Sequence, residues 1–143
     1  CVGIENRIGW VALRGRNDHS GMPYTSLLPR FAADLVCRYK STGFRSAVNT
    51  GGYRTYTYSL PGYRRLFRDA GLGAVQALHA WNGYNDPRIL LPLDEPEALL
   101  WFASHGHSGT LANGLRRAIL KLAARTGVWA QLASEFVFVV GRP

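Results

Sequence analysis

Apolar residues recur at helical spacing in four stretches of the chain and run almost without interruption in three others. The clearest helix lies between Ser59 and Gly71. Leu60, Tyr63, Leu66, Phe67 and Ala70 share one side of it and Arg64, Arg65, Arg68 and Asp69 the other, so its apolar face must pack on something the helix does not supply. Ser59 suits the N-cap, where its hydroxyl can accept from an orphan amide. Pro61 lacks an N–H that the first turn would leave unpaired, and Gly71 is a natural stop. A second helix is predicted from Ser26 to Tyr39, with Pro29 in its first turn and Leu28, Phe31, Leu35 and Tyr39 on one stripe. A third follows Pro96 over Ala98–His105. The fourth, Leu111–Thr126, places Leu111, Leu115, Ile119 and Leu122 on one side and Arg117, Lys121 and Arg125 on another, and Gly127 ends it.

The three continuous runs predict strands. Cys1–Ile4 is short and apolar, and Ala74–Trp81 stops at the turn-rich Asn82-Gly83-Tyr84-Asn85-Asp86-Pro87. Glu135–Val140 has the unbroken apolar character of a strand covered on both faces. Ile89–Leu93 is read as a lead into the third helix. From Ile8 to Arg54 the connection is far longer than the roughly 2–6 residues that join strands and helices in an αβ unit, so residues 8 to 54 read as an insertion. No internal repeat or low-complexity segment divides the chain, and one domain over residues 1 to 143 is expected. The chain starts at Cys1, inside an apolar run, which suggests that further chain precedes it.

Candidate chemistry collects at two places. Glu5, Asn6 and Arg7 follow the first strand, and α/β sheets bind ligands beyond the carboxyl ends of their strands; the same residues also suit the plain start of a loop or helix. Asp18-His19, in the polar turn of the insertion, is the chain's only adjacent acid–histidine pair. It fits a base with an orienting carboxylate, and equally an exposed turn. His79, His105 and His107 lack acidic or cysteine partners at ligand spacing, so no metal site is expected.

Composition narrows these readings. An apolar content of 47% against 18% charged residues excludes a disordered chain. Cys1 and Cys37 alone form no disulfide framework, which favours a reducing, cytoplasmic setting. No run approaches the roughly 18 apolar residues of a membrane span. Lysine and arginine outnumber acids 17 to 9, for a net charge of +8, which draws the chain toward anionic partners. Without zinc-finger spacing or an RNA-binding sheet signature, nucleic acid is not expected among them. The basic stripe of the fourth helix suits solvent, an anionic lipid or a polyanionic substrate.

The order of elements, together with Ile4-Glu5-Asn6-Arg7-Ile8-Gly9, Asp18-His19-Ser20-Gly21, Tyr56-Thr57-Tyr58-Ser59, Tyr63-Arg64-Arg65-Leu66 and Tyr84-Asn85-Asp86-Pro87, resembles the C-terminal half of class I S-adenosylmethionine-dependent methyltransferases. Within that family it is similar to a bacterial group associated with polysaccharides and glycolipids. The resemblance covers most of residues 2 to 93 and the final strand. It implies an α/β fold, a partial Rossmann-like sheet made of strands five to seven with crossover helices, in which residues 8 to 54 form a lid or substrate region. Cys1–Ile4 would be the fifth strand, Tyr63–Ala70 the crossover helix, Val75–Trp81 the sixth strand and Phe136–Val140 the seventh, inserted antiparallel.

By the same resemblance the cofactor is S-adenosylmethionine and the acceptor a small molecule or glycan, with an anionic glycolipid surface as a further partner. His19 is then the first candidate base, with Asp18 orienting it, and Glu5 the second. Asn6, Arg7, Tyr56 and Tyr58 are candidates for acceptor binding. The glycine-rich turn that holds the cofactor in this family does not occur, because Gly71-Leu72-Gly73 follows a helix; it is expected upstream of Cys1, and the chain alone is expected to be inactive. Exposed sheet edges and apolar surface would follow. A sugar-nucleotide transferase and a non-catalytic basic binding module are the alternatives.

Overall fold

A computed structural model describes residues 1–17, 21–40, 57–73, 75–106 and 111–141. Its strands are β1 (Val2–Glu5), β2 (Val75–Trp81), β3 (Ile89–Pro92) and β4 (Glu135–Val140). Its helices are α1 (Trp10–Leu13), α2 (Arg30–Lys40), α3 (Leu60–Asp69), α4 (Pro96–His105), α5 (Leu111–Arg125) and α6 (Val128–Leu132), with a 3-10 turn at Thr25–Leu27.

Local chemistry sets the bounds of α3. Ser59 occupies the N-cap with extended backbone, and its carbonyl accepts the first helical bond, from the Tyr63 amide at 3.0 Å. Its hydroxyl makes no capping bond, contrary to expectation. A capping oxygen bonds the second or third amide of the helix, and Pro61 removes the second. At the other end Gly71 takes φ +69°. Its N–H donates to the Arg68 carbonyl and that of Leu72 to the Phe67 carbonyl, both at 3.0 Å, the paired closure that a left-handed residue permits.

The sheet has the order β1-β4-β2-β3, and all its neighbouring strands pair antiparallel. The chain is therefore mixed α/β, and the parallel pairing expected of a Rossmann-like sheet is absent among the described strands. Because β4 lies antiparallel between β1 and β2, those two run in the same direction without touching, and α3 lies on the connection between them. β3 is a strand where the sequence suggested only an approach to α4. It pairs Trp81 with Ile89 and Leu78 with Pro92 at the sheet's margin, where a proline's missing donor is tolerated.

One core joins the sheet to the helices. Phe136 and Phe138 are fully buried and lie opposite Ile4, Ala77 and His79 in register, which places these residues on one face. Tyr63 of α3 packs there, its ring 6.1 Å from Phe136 and 5.5 Å from Phe138, and Phe67 stands 5.0 Å from Phe138. Farther along the same face Trp81 meets Phe102 of α4 at 4.8 Å and Trp129 of α6 at 6.3 Å. Val137 on the opposite face is also buried, whereas Val139 is 42% exposed, so the cover expected on both faces of β4 is uneven.

Two apolar stripes point away from this core. In α2 the buried residues are Ala33 and Cys37, which form a small cluster of their own with Met22, while Phe31, Leu35 and Tyr39 are exposed. In α5 Leu115, Ile119 and Leu122 are exposed in the same way. Both cysteines are free, Cys37 buried and Cys1 exposed. No helix is long and apolar enough to cross a membrane among the described residues.

Candidate functional site

Antiparallel pairing brings the end of β1 and the start of β4 to the same edge of the sheet, with Glu5 directly opposite Glu135. A cleft of about 250 Å³ opens there. The two glutamates, Asn6 and Ser134 line it from the sheet, and Arg16, Asn17, Ser26, Val11 and Ala12 line it from the insertion; Thr57 closes it from the segment before α3. Two glutamates, an arginine and several neutral polar residues therefore line one small space.

The cleft is held by buried polar contacts. Asn6 is buried, and its side-chain amide donates to the carbonyls of Gln131 at 2.7 Å and Ala133 at 2.6 Å, while Oδ1 accepts from the Ile8 amide at 3.2 Å. It thereby satisfies carbonyls at the end of α6, where a helix leaves them unpaired. The backbone amide of Asn6 donates to Ser134, and the Ser134 hydroxyl accepts from the Val11 amide at 3.2 Å. Gly9 packs so tightly here that a Cβ would come within 2.7 Å of the Ser134 backbone. Asn6→Ala should cost about 2 kcal/mol in urea unfolding, since it strands two carbonyls and an amide in a buried place; an unchanged midpoint would show that water replaces the side chain without loss.

Arg7 plays a similar part. Its Nε donates to the Ser26 carbonyl and Nη2 to that of Leu28, both at 2.8 Å, which ties the 3-10 turn of the insertion to β1. It does not line the cleft. Tyr58 bridges to Asn6 through its backbone, and its hydroxyl accepts from Arg30 at 3.0 Å; its ring stands edge-on to Tyr63 at 5.5 Å, again outside the cleft. Glu5 is in the cleft, with its carbonyl accepting from the Tyr63 hydroxyl at 3.0 Å. Asp18, His19 and Tyr56 lie outside the described residues; Asp18 and His19 directly follow Asn17 in sequence.

Glu135, Arg16, Asn17, Ser26, Thr57 and Ser134 were not singled out by sequence. Glu135 offered one usable signal, an acid at the head of an otherwise wholly apolar strand. Its carboxylate accepts from the Tyr84 amide at 2.6 Å, and Gly83, at φ +112°, shapes the turn that brings this amide in.

The two described histidines, His79 and His105, serve the structure, and His107 lies outside the described residues. His79 is buried, its Nδ1 accepts from the Trp129 indole at 3.0 Å, and burial pushes its pKa down to about 4, so the ring is neutral. His105 Nδ1 lies 2.9 Å from the Trp101 carbonyl of its own helix. No three residues of metal-ligating type come together among the described residues.

Among the described residues no glycine-bearing strand-to-helix turn is left open as a cradle for S-adenosylmethionine. The strand-to-helix turn from β1 to α1 contains one glycine, Gly9, and its close approach is taken up by the Ser134 backbone. Gly71 follows a helix, the wrong place for a nucleotide-binding turn. What the cleft can do is hold a polar molecule between two carboxylates and Arg16 and accept a proton from it. Comparison of the chain with protein-family models, with curated proteins and with solved structures finds no match in any of the three.

Proposed function

We propose that this chain is the acceptor-holding, C-terminal part of an S-adenosylmethionine-dependent methyltransferase domain, built on a partial Rossmann-like sheet. One observation carries the reading: β4 lies antiparallel between two strands that run the same way and are linked through α3. That is the arrangement the resemblance implies for strands five, seven and six. The cleft supports it by its position, at the mouth of β1 beneath the insertion. On this reading the cofactor is held by residues outside these 143, and the chain's own task is to bind and orient the acceptor and remove its proton.

A saccharide or other hydroxyl-rich acceptor suits such a lining. Sugar hydroxyls donate to carboxylates such as Glu5 and Glu135 and accept from Arg16, Asn17 and Ser26. Glu5 is then the base for the hydroxyl that becomes methylated. Glu135, fixed by the Tyr84 amide, orients the acceptor. Titration of the full-length protein with S-adenosylmethionine in a calorimeter tests the assignment, and the absence of binding heat at every concentration would sink it. In an active full-length enzyme Glu5→Gln should lower turnover roughly a hundredfold to ten-thousandfold while leaving cofactor affinity unchanged. If His19→Ala produces that loss and Glu5→Gln does not, the base is His19.

A further inference from the structure

Helix α5 is the most cationic element of the chain, and it faces the wrong way for an ordinary surface helix. Leu120 and Ala123 pack on the core and Ala124 is buried, so the helix docks through its small side. Leu115, Ile119 and Leu122 are 68%, 57% and 63% exposed. At about 100° per residue these three fall within an arc of about 60°, which Arg116 borders on one side and Arg125 on the other. Both arginines are exposed, and the Arg116 guanidinium is steadied over the Trp81 ring at 5.7 Å. Arg116, Arg117, Lys121 and Arg125 lie on this helix, and no acid occurs between Leu111 and Arg125.

An outward apolar stripe with cationic borders requires a partner that offers hydrocarbon and negative charge side by side. A second copy of the helix offers the hydrocarbon but sets these cations against their own kind, with no acid on either helix to offset them. An anionic lipid surface offers both. We propose that α5 is an interfacial helix. It lies in the plane of an anionic bilayer, with Leu115, Ile119 and Leu122 at the acyl boundary and Arg116 and Arg125 at the lipid phosphates. The helix is too short and too charged to span, so the chain is held on the surface.

Flotation with vesicles tests this. The protein should float with phosphatidylcholine vesicles that contain phosphatidylglycerol, far less with phosphatidylcholine alone, and less as salt is raised. Combined L115S, I119S and L122S should lower vesicle affinity at least about tenfold. R116Q with R125Q should lower it about tenfold and flatten the dependence on anionic lipid. Leu115, Ile119 and Leu122 are exposed, so the serine variant should unfold at the wild-type midpoint, and the arginine variant, which loses the Arg116 contact with Trp81, only slightly below it. This separates loss of binding from loss of fold. Equal binding to both vesicle types, or wild-type binding by the serine variant, overturns the proposal. So does a serine variant that changes only the oligomeric state in light scattering, which would make the face a contact between copies.

Discussion

Replacing Tyr63 with alanine should lower the unfolding free energy by about 3–5 kcal/mol, the range for removing a buried aromatic ring from a packed core. Tyr63 is 2% exposed, and its ring meets both central phenylalanines of β4. Its hydroxyl donates to the Glu5 carbonyl, so it also ties the helix to the end of β1, beside the cleft. Burial raises its pKa to about 12, so the phenol is a neutral donor throughout the working pH range. Tyr63→Phe separates the two roles: it keeps the ring and should cost only about 1 kcal/mol, the worth of the lost hydrogen bond. Urea unfolding of both variants checks the ranking. Equal costs would mean that the hydrogen bond, and not the ring, fastens α3 to the sheet.

The same helix shows what could be read without coordinates. Pro61 and Gly71 act through their own backbones, so the ends of α3 were legible to the residue, and the apolar run of β4 was long enough to stand as a strand by itself. Which face of a helix turns inward is a different matter. In α2 and α5 periodicity grouped the large residues on one stripe without saying where it turns, and the structure exposes most of that stripe and buries Ala33, Cys37 and Ala124. Close packing against a neighbour selects small side chains, and that preference depends on where the neighbour lies. α6 escaped notice because five residues after Gly127 carry too little periodicity to register.

The cleft divides along the same line. Glu5 and Asn6 could be proposed from their place after a strand, but Glu135 joins them only through the register of β1 with β4, across most of the chain's length. Arg7 and Tyr58 are near in sequence and polar, and the structure uses them to fix the insertion and the entry to α3. A polar residue next to a site is needed both for chemistry and for holding the wall, and sequence spacing does not distinguish the two uses.

Acid should destabilise the protein well before its carboxylates titrate fully, and His79 is the cause. The unfolded chain binds a proton at this imidazole near pH 6.5, whereas the folded protein does so only near pH 4. The folded pKa is the lower of the two, so this contribution to stability is complete above about pH 6.5 and is lost as pH falls toward 4. The gap corresponds to roughly 3 kcal/mol. Burial is the cause of the shift, and the neighbouring rings of Trp81 and Trp129, with centroids at 5.5 Å and 6.2 Å, leave the imidazolium little to replace its water. Protonation also turns the acceptor Nδ1 into a donor that faces the Trp129 indole N–H. His79→Gln keeps an acceptor for that indole and does not titrate. Its unfolding free energy should therefore fall less between pH 7 and pH 4 than that of the wild type, by most of the roughly 3 kcal/mol. Tryptophan fluorescence in urea at each pH gives both curves. Parallel curves would assign the acid sensitivity to the carboxylates and mean that His79 takes up its proton at the same pH in the folded and unfolded chain.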